Sequence, residues 1–189
     1  VIRRQYDWVS LQRRKLDKVF ELPEEHLRGA KTASPDPAQS TAIFLTTDHW
    51  GPTIHTLLWV HRIFHGRFRN WLFVSAVEVQ ASVLSAPETV PDLKAGIERS
   101  LDQLEAFCAR EGLTTARFVV FGTDPVKSLE DLIKEVSARF PDSVCFANKL
   151  MLPANRWFAE WLHNQTALGL QRQLHVEGIP LVILPIKLI

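Results

Sequence analysis

Residues 42–79 read AIFLTTDHWGPTIHTLLWVHRIFHGRFRNWLFVSAVEV, and the fold class turns on this stretch. It opens on a short branched and aromatic run at 42–47. A turn through Gly51 and Pro52 leads into a helix-length segment ending near Phe64, and Gly66 follows before a second branched and aromatic run at 71–79. Runs of that composition are strand formers, and a glycine just past a helical segment is a stop signal. Both strand candidates are nearly continuous in apolar residues. Strands apolar on two faces belong inside a sheet covered on both sides, which is the usual condition of a parallel sheet.

The alternation continues to the end of the chain. Further strand candidates are 116–121 (ARFVVF), 143–147 (SVCFA) and 180–188 (PLVILPIKL). Leu93, Ile97, Leu101, Leu104 and Cys108 form one helical stripe that ends at Gly112; Leu129, Leu132, Ile133, Val136 and Phe140 form another that ends before Pro141. A last helix is expected over 157–176, with Gly178 at its stop. Strand and helix alternating this way, with short connections and right-handed crossovers, predict an α/β domain with a five-stranded, doubly wound, mostly parallel sheet of order 3-2-1-4-5. The expected form is a three-layer sandwich whose crevice lies between the carboxyl ends of the first and fourth strands.

A hydrophobic share of 46% and a charged share of 23% are those of a folding sequence, so disordered and coiled-coil classes fall away. With 22 basic and 21 acidic residues the net charge is +1, which supplies no field to concentrate nucleic acid on the surface. Cys108 and Cys145 each sit in an apolar pattern and read as core packing in a reducing compartment. No stretch reaches the roughly 18 consecutive apolar residues of a membrane span. The chain starts at Val1 and has only Met151 as methionine, so it reads as a piece of a longer or processed product.

Three parts are expected: a basic helical arm at 1–28, a linker at 29–40 and the α/β domain at 41–189. The arm carries Arg3, Arg4, Arg13, Arg14, Lys15 and Lys18 without a glycine or proline before Pro23. Such a run is either a solvated helix face or the basic flank that follows a membrane span on its cytoplasmic side. The linker, GAKTASPDPAQS, holds Pro35 and Pro37.

Candidate chemistry gathers at strand ends. The first strand runs into Thr47-Asp48-His49-Trp50-Gly51-Pro52-Thr53, which brings a carboxylate, an imidazole and a flexible turn to a helix N-terminus. Backbone donors there suit an anion, whereas Asp48 suits ribose, a base or simply the capping of the helix. The third strand ends in Gly122-Thr123-Asp124 before Pro125, where Thr123 or Asp124 is a good cap and Gly122 a candidate ligand contact. Asn148 and Lys149 end the fourth strand, opposite Asp48 across the crevice, with Lys149 able to meet a phosphate. Neither GxxxxGK[ST] nor GxGxxG is present, nor GxSxG nor HExxH. His61 and His65 stand one turn apart without an evident third metal ligand.

Five segments, 51–58 (GPTIHTLL), 68–75 (FRNWLFVS), 122–124 (GTD), 146–150 (FANKL) and 162–167 (LHNQTA), resemble in order and spacing the C-terminal soluble domain of bacterial amino acid-polyamine-organocation permeases. The resemblance runs from about residue 41 to the end. It implies a universal-stress-protein-like domain that follows the last transmembrane helix on the cytoplasmic side, with the transmembrane part of the same transporter as partner and the basic arm as its exit. Some universal stress proteins bind ATP, and Asp48 matches the acidic residue that closes their first strand. The glycine-rich segment that those proteins place after the fourth strand is missing, because 149–155 read KLMLPAN.

The function expected is therefore that of a non-catalytic regulatory or scaffolding domain of a transporter for amino acids or similar organic cations, without a cofactor, and compatible with a homodimer through the 180–188 edge. The alternative is a sensor of an adenine nucleotide or cyclic dinucleotide held by Asp48, His49, Gly51, Thr53, Gly122, Thr123, Asn148 and Lys149. A second alternative is a small-molecule hydrolase or transferase with His49 or His55 as base, for which no partnered nucleophile is visible.

Overall fold

The computed structural model describes residues 11, 13–27, 33–79, 90–151 and 168–187. In chain order these form α1 (13–20), α2 (Glu24–Leu27), β1 (Thr41–Leu45), α3 (Trp50–Ile63), β2 (Asn70–Glu78), α4 (Val90–Arg110), β3 (Thr114–Gly122), α5 (Pro125–Arg139), β4 (Ser143–Met151), α6 (168–176) and β5 (Leu181–Lys187). The sheet is five-stranded with order β3-β2-β1-β4-β5, and all four pairings are parallel. This is the expected doubly wound α/β architecture.

Side-chain alternation divides the core between the two faces of the sheet. Ala42, Phe44, Trp71, Phe73 and Phe146 face α3 and α4, whose Ile54, Leu57, Val60, Ile97, Leu101, Leu104 and Cys108 cover them. Ile43, Leu72, Val74, Cys145 and Ala147 face α5 and α6 on the other side, against Ile133, Val136, Phe140, Leu170 and Leu174. Register explains the aromatic cluster on the first face, because Phe44 is paired with Phe73 on one neighbour and with Phe146 on the other. Its ring stacks on Trp71 at 5.6 Å and on Phe146 at 5.5 Å. Each such side chain removed from water contributes about 1.5–3 kcal/mol.

Local signals set most of the ends. Gly112 and Gly178 take φ of 68° and 74°, the left-handed conformation that a glycine permits after a helix. Asp124 caps α5 by accepting the Lys127 N–H at 3.0 Å, with Pro125 next to it. Most strand boundaries shift by one or two residues from expectation, β1 ending at Leu45 and β3 starting at Thr114, and two further differences have a physical reason. Helix α3 starts at Trp50, two residues before Pro52, because a first-turn residue has no intrahelical acceptor and proline loses nothing there. Strand β4 continues to Met151, since β5 pairs beside it as far as Met151 and Lys187.

The proline-containing stretch at 33–40 is pinned beneath β2. Asn70 Nδ2 donates to the Asp36 carbonyl at 2.7 Å, and Asn70 Oδ1 accepts the Asp36 N–H at 3.2 Å. Arg3 and Arg4, the 157–167 part of the last expected helix and the 162–167 segment of the resemblance lie outside the described residues. Among the described residues, no helix is long and apolar enough to cross a membrane.

Candidate functional site

The carboxyl end of β1 delivers the chain into the N-terminus of α3, where first-turn N–H groups lack intrahelical acceptors and the helix dipole is positive. The anion that meets them is the chain's own Asp17, on α1. Its Oδ1 accepts the Gly51 N–H at 2.7 Å, and its Oδ2 lies 2.6 Å from His49 Nδ1. The Trp50 indole N–H donates to the Asp17 backbone carbonyl at 3.1 Å. Asp17 is only 5% exposed, so its charge has exchanged water for these donors.

Gly51 is what admits α1. A Cβ at this position would overlap the Leu16 carbonyl and stand 2.5 Å from the Asp17 nitrogen, closer than real side chains approach. The strap formed by 13–22 is also clipped at its far end. Gln103 of α4 accepts the Leu22 N–H at 2.8 Å and donates to the Leu22 carbonyl at 3.1 Å, a two-sided contact in a buried setting. Arg99 pairs with Glu21 at 3.1 Å and stands over the Trp50 ring. Burial pulls the Arg13 guanidinium below its ordinary pKa, while the fields of Asp48 and Asp17 act against that shift.

The expected site residues fall into three groups. Asp48, His49, Gly51 and Thr53 share the β1–α3 junction. His49 is the residue preceding α3 and makes no side-chain capping bond; Asp48 is exposed and one residue earlier, so the capping role considered for Asp48 is not what this junction uses. The reason is tertiary: Asp17 already accepts the Gly51 donor. Thr53 is buried, and its hydroxyl donates to Thr46 Oγ1 at 3.1 Å, tying α3 to the end of β1.

Asn148 and Lys149 form the second group, in β4 next to β1. The last β4 residue in register with β1 is Phe146, so Asn148 stands two residues further toward the crevice, half-buried and opposite Leu184 of β5. The Lys149 backbone stands opposite Pro185. Gly122 and Thr123 form the third group, at the end of edge strand β3. With β2 intervening, they lie two strand spacings, about 10 Å, from β1. Gly122 instead accepts the Val79 N–H at 2.9 Å and packs on Ser128, and Thr123 is exposed. The fold therefore brings Asp48, His49, Gly51 and Asn148 to one end of adjacent strands and leaves Gly122 and Thr123 aside.

His55 is half-buried on α3, one turn beyond the junction. The His61 and His65 rings lie 5.7 Å apart, and among the described residues no group of three or more His, Cys, Asp or Glu is arranged to hold a metal ion. Burial raises the thiol pKa of both cysteines, Cys145 to about 12, so neither is a thiolate near neutrality.

Asp17, Ser100 and Gln103 are the polar residues that sequence reasoning passed over. Ser100 donates to the Thr47 carbonyl at 2.8 Å, so α4 holds both the junction and the strap. One signal was legible: between Lys94 and Arg110, Ser100 and Gln103 are the only uncharged polar residues of a helix otherwise divided between charged and apolar positions. Nothing local pairs Asp17 with Gly51, 34 residues away. Compared with protein-family models, curated proteins and solved structures, the chain matches none of them.

Proposed function

We propose that this chain is a non-catalytic regulatory or scaffolding domain on the cytoplasmic side of a membrane transporter for amino acids or similar organic cations. Support comes from the strap. A chain arriving from a membrane span would be held at the α3 N-terminus by Asp17 and at α4 by Gln103, so its displacement would be felt by both helices. The test has two stages. The reading frame upstream of Val1 should encode a bundle of hydrophobic helices, and a frame without one ends the proposal. In the full-length protein, Asp17→Asn should change uptake at unchanged membrane abundance. A homodimer belongs to the same reading: β5 pairs only with β4 among the described residues, although Pro185 interrupts the donors along its outer edge.

The second reading, an adenine nucleotide or cyclic dinucleotide sensor, is favoured by Asn148, whose side chain makes no hydrogen bond among the described residues while standing beside the β1–α3 junction. A phosphate at the α3 N-terminus would first have to displace the Asp17 carboxylate. Thermal-shift measurements with ATP, AMP and cyclic dinucleotides decide it. A ligand at about 100 times its Kd adds about 2.7 kcal/mol of stability, and Asp17→Asn should bind more tightly because the internal anion is gone. No shift in either protein removes this reading.

A further inference from the structure

Helix α3 differs from the other long helices on the sheet. Helices α4 and α5 carry charged residues at most outward positions, as a surface layer should, whereas Arg62 is the only Asp, Glu, Lys or Arg in α3. Its inward face is Ile54, Leu57 and Val60. The outward positions, spaced by three and four, are His55, Leu58, Trp59, Arg62 and Ile63. Leu58, Trp59, Ile63 and the adjoining Phe64 are 39%, 41%, 55% and 39% exposed, a concentration of large apolar side chains that folding alone leaves in water.

The ionised side chains that this segment itself supplies share one sign, with Asp142 and Asp36 brought near Arg67 and Arg69 from other elements. From His49 to Val77 the chain contains no Asp or Glu, while Arg62, Arg67 and Arg69 are all exposed. Arg67 is neutralised by a two-pronged pair with Asp142, at 2.8 and 3.1 Å. Arg62 and Arg69 make no ion pair among the described residues. Exposed tryptophan and branched aliphatic side chains with Arg62 among them, and Arg69 beyond the end of the helix, are residue types that a lipid interface accommodates.

We propose that the outer face of α3 docks on an anionic lipid surface, with Trp59, Ile63 and Leu58 entering the headgroup region and Arg62 and Arg69 meeting lipid phosphates. A second copy of the chain fits less well. Four partly exposed side chains fall short of the roughly 800 Å² per partner of a stable interface, and a twofold contact centred on this face would set its arginines against their own images. The docking adds a membrane contact to the transporter reading without requiring it, because it is measured on this chain alone.

The experiment is co-sedimentation of the chain with vesicles of phosphatidylglycerol and phosphatidylcholine in equal parts, and with phosphatidylcholine alone, at low salt. Binding is expected to the first and not the second. Each of Arg62→Glu and Arg69→Glu should weaken it at least about fivefold, from the loss of about 1 kcal/mol per surface cation. Ile63→Ser and Trp59→Ala should weaken it as well; Ile63 is more exposed, so its variant tests the face even if the tryptophan variant folds poorly. Charge reversal of the exposed strap residues Arg14, Lys15 and Lys18 is the counter-test. Binding that is lost only with the strap variant overturns the proposal. So does an absence of vesicle binding, capture by poly-glutamate in place of vesicles, or a wild-type dimer that Trp59→Ala converts to monomer.

Discussion

Gly51 and Asp17 make one device out of two small features. Glycine leaves room for the backbone of α1, and the carboxylate then fills the place at which a helix N-terminus attracts an anion. Gly51→Ala removes no charge, yet its methyl would collide with the Leu16–Asp17 peptide. The expected cost is about 1–3 kcal/mol in urea unfolding, from overpacking at a site that has no slack. Hydrogen exchange should rise across 13–22 while the amides of β1 and β2 stay protected. Asp17→Asn keeps the shape and removes the charge, so the acceptor that faces the Gly51 N–H is weakened and His49 loses its carboxylate partner, at about 1–3 kcal/mol. Unchanged exchange over 13–22 in both variants would show that the strap is held by something other than this contact.

At the scale of elements, α5 is joined to the turn before β5 by a chain of charges. Lys134 lies 2.8 Å from Glu130 on its own helix and 2.9 Å from Glu177 just beyond α6. Its hydrogen bonds to Glu130 and Glu177 raise the ammonium pKa above the ordinary 10.5. The folded state therefore holds this proton more tightly than the unfolded chain. The resulting stabilisation is fully present below pH 10.5 and is lost as pH climbs through the higher folded value. Urea midpoints of the wild type and Lys134→Met should differ at neutral pH and converge in strong alkali. The group is exposed, so the difference is expected to be small, and one that persists undiminished at high pH would point to packing of the methylene stem instead.

For the whole molecule, the strap makes residues 13–22 part of the packed body. Leu22 is buried, Phe20 packs on the core beneath α3 and α4, and Trp50 is held by the Asp17 carbonyl. A chain beginning at residue 33 should unfold at lower urea, by about 2 kcal/mol or more, and with a smaller m-value because less surface is exposed on unfolding. An unchanged m-value would mean that residues 13–27 contribute no cooperative surface. The sequence by itself determined a cap at Thr123 or Asp124, which the structure gives to Asp124, and the glycine stops at Gly112 and Gly178, since each depends on residue type and spacing within one turn; the α/β class and strand order followed from the alternation of strand and helix along the whole chain. It also brought Asp48, His49 and Asn148 to neighbouring strand ends, because order and right-handed crossovers leave them nowhere else. Only the tertiary structure decided that Asp17 occupies the anion position of α3 and that Gln103 clips Leu22, 81 residues away. Those contacts join residues whose local patterns are independent of one another. Periodicity reports which face of an element is apolar, but which partner meets a polar group is settled by packing in three dimensions.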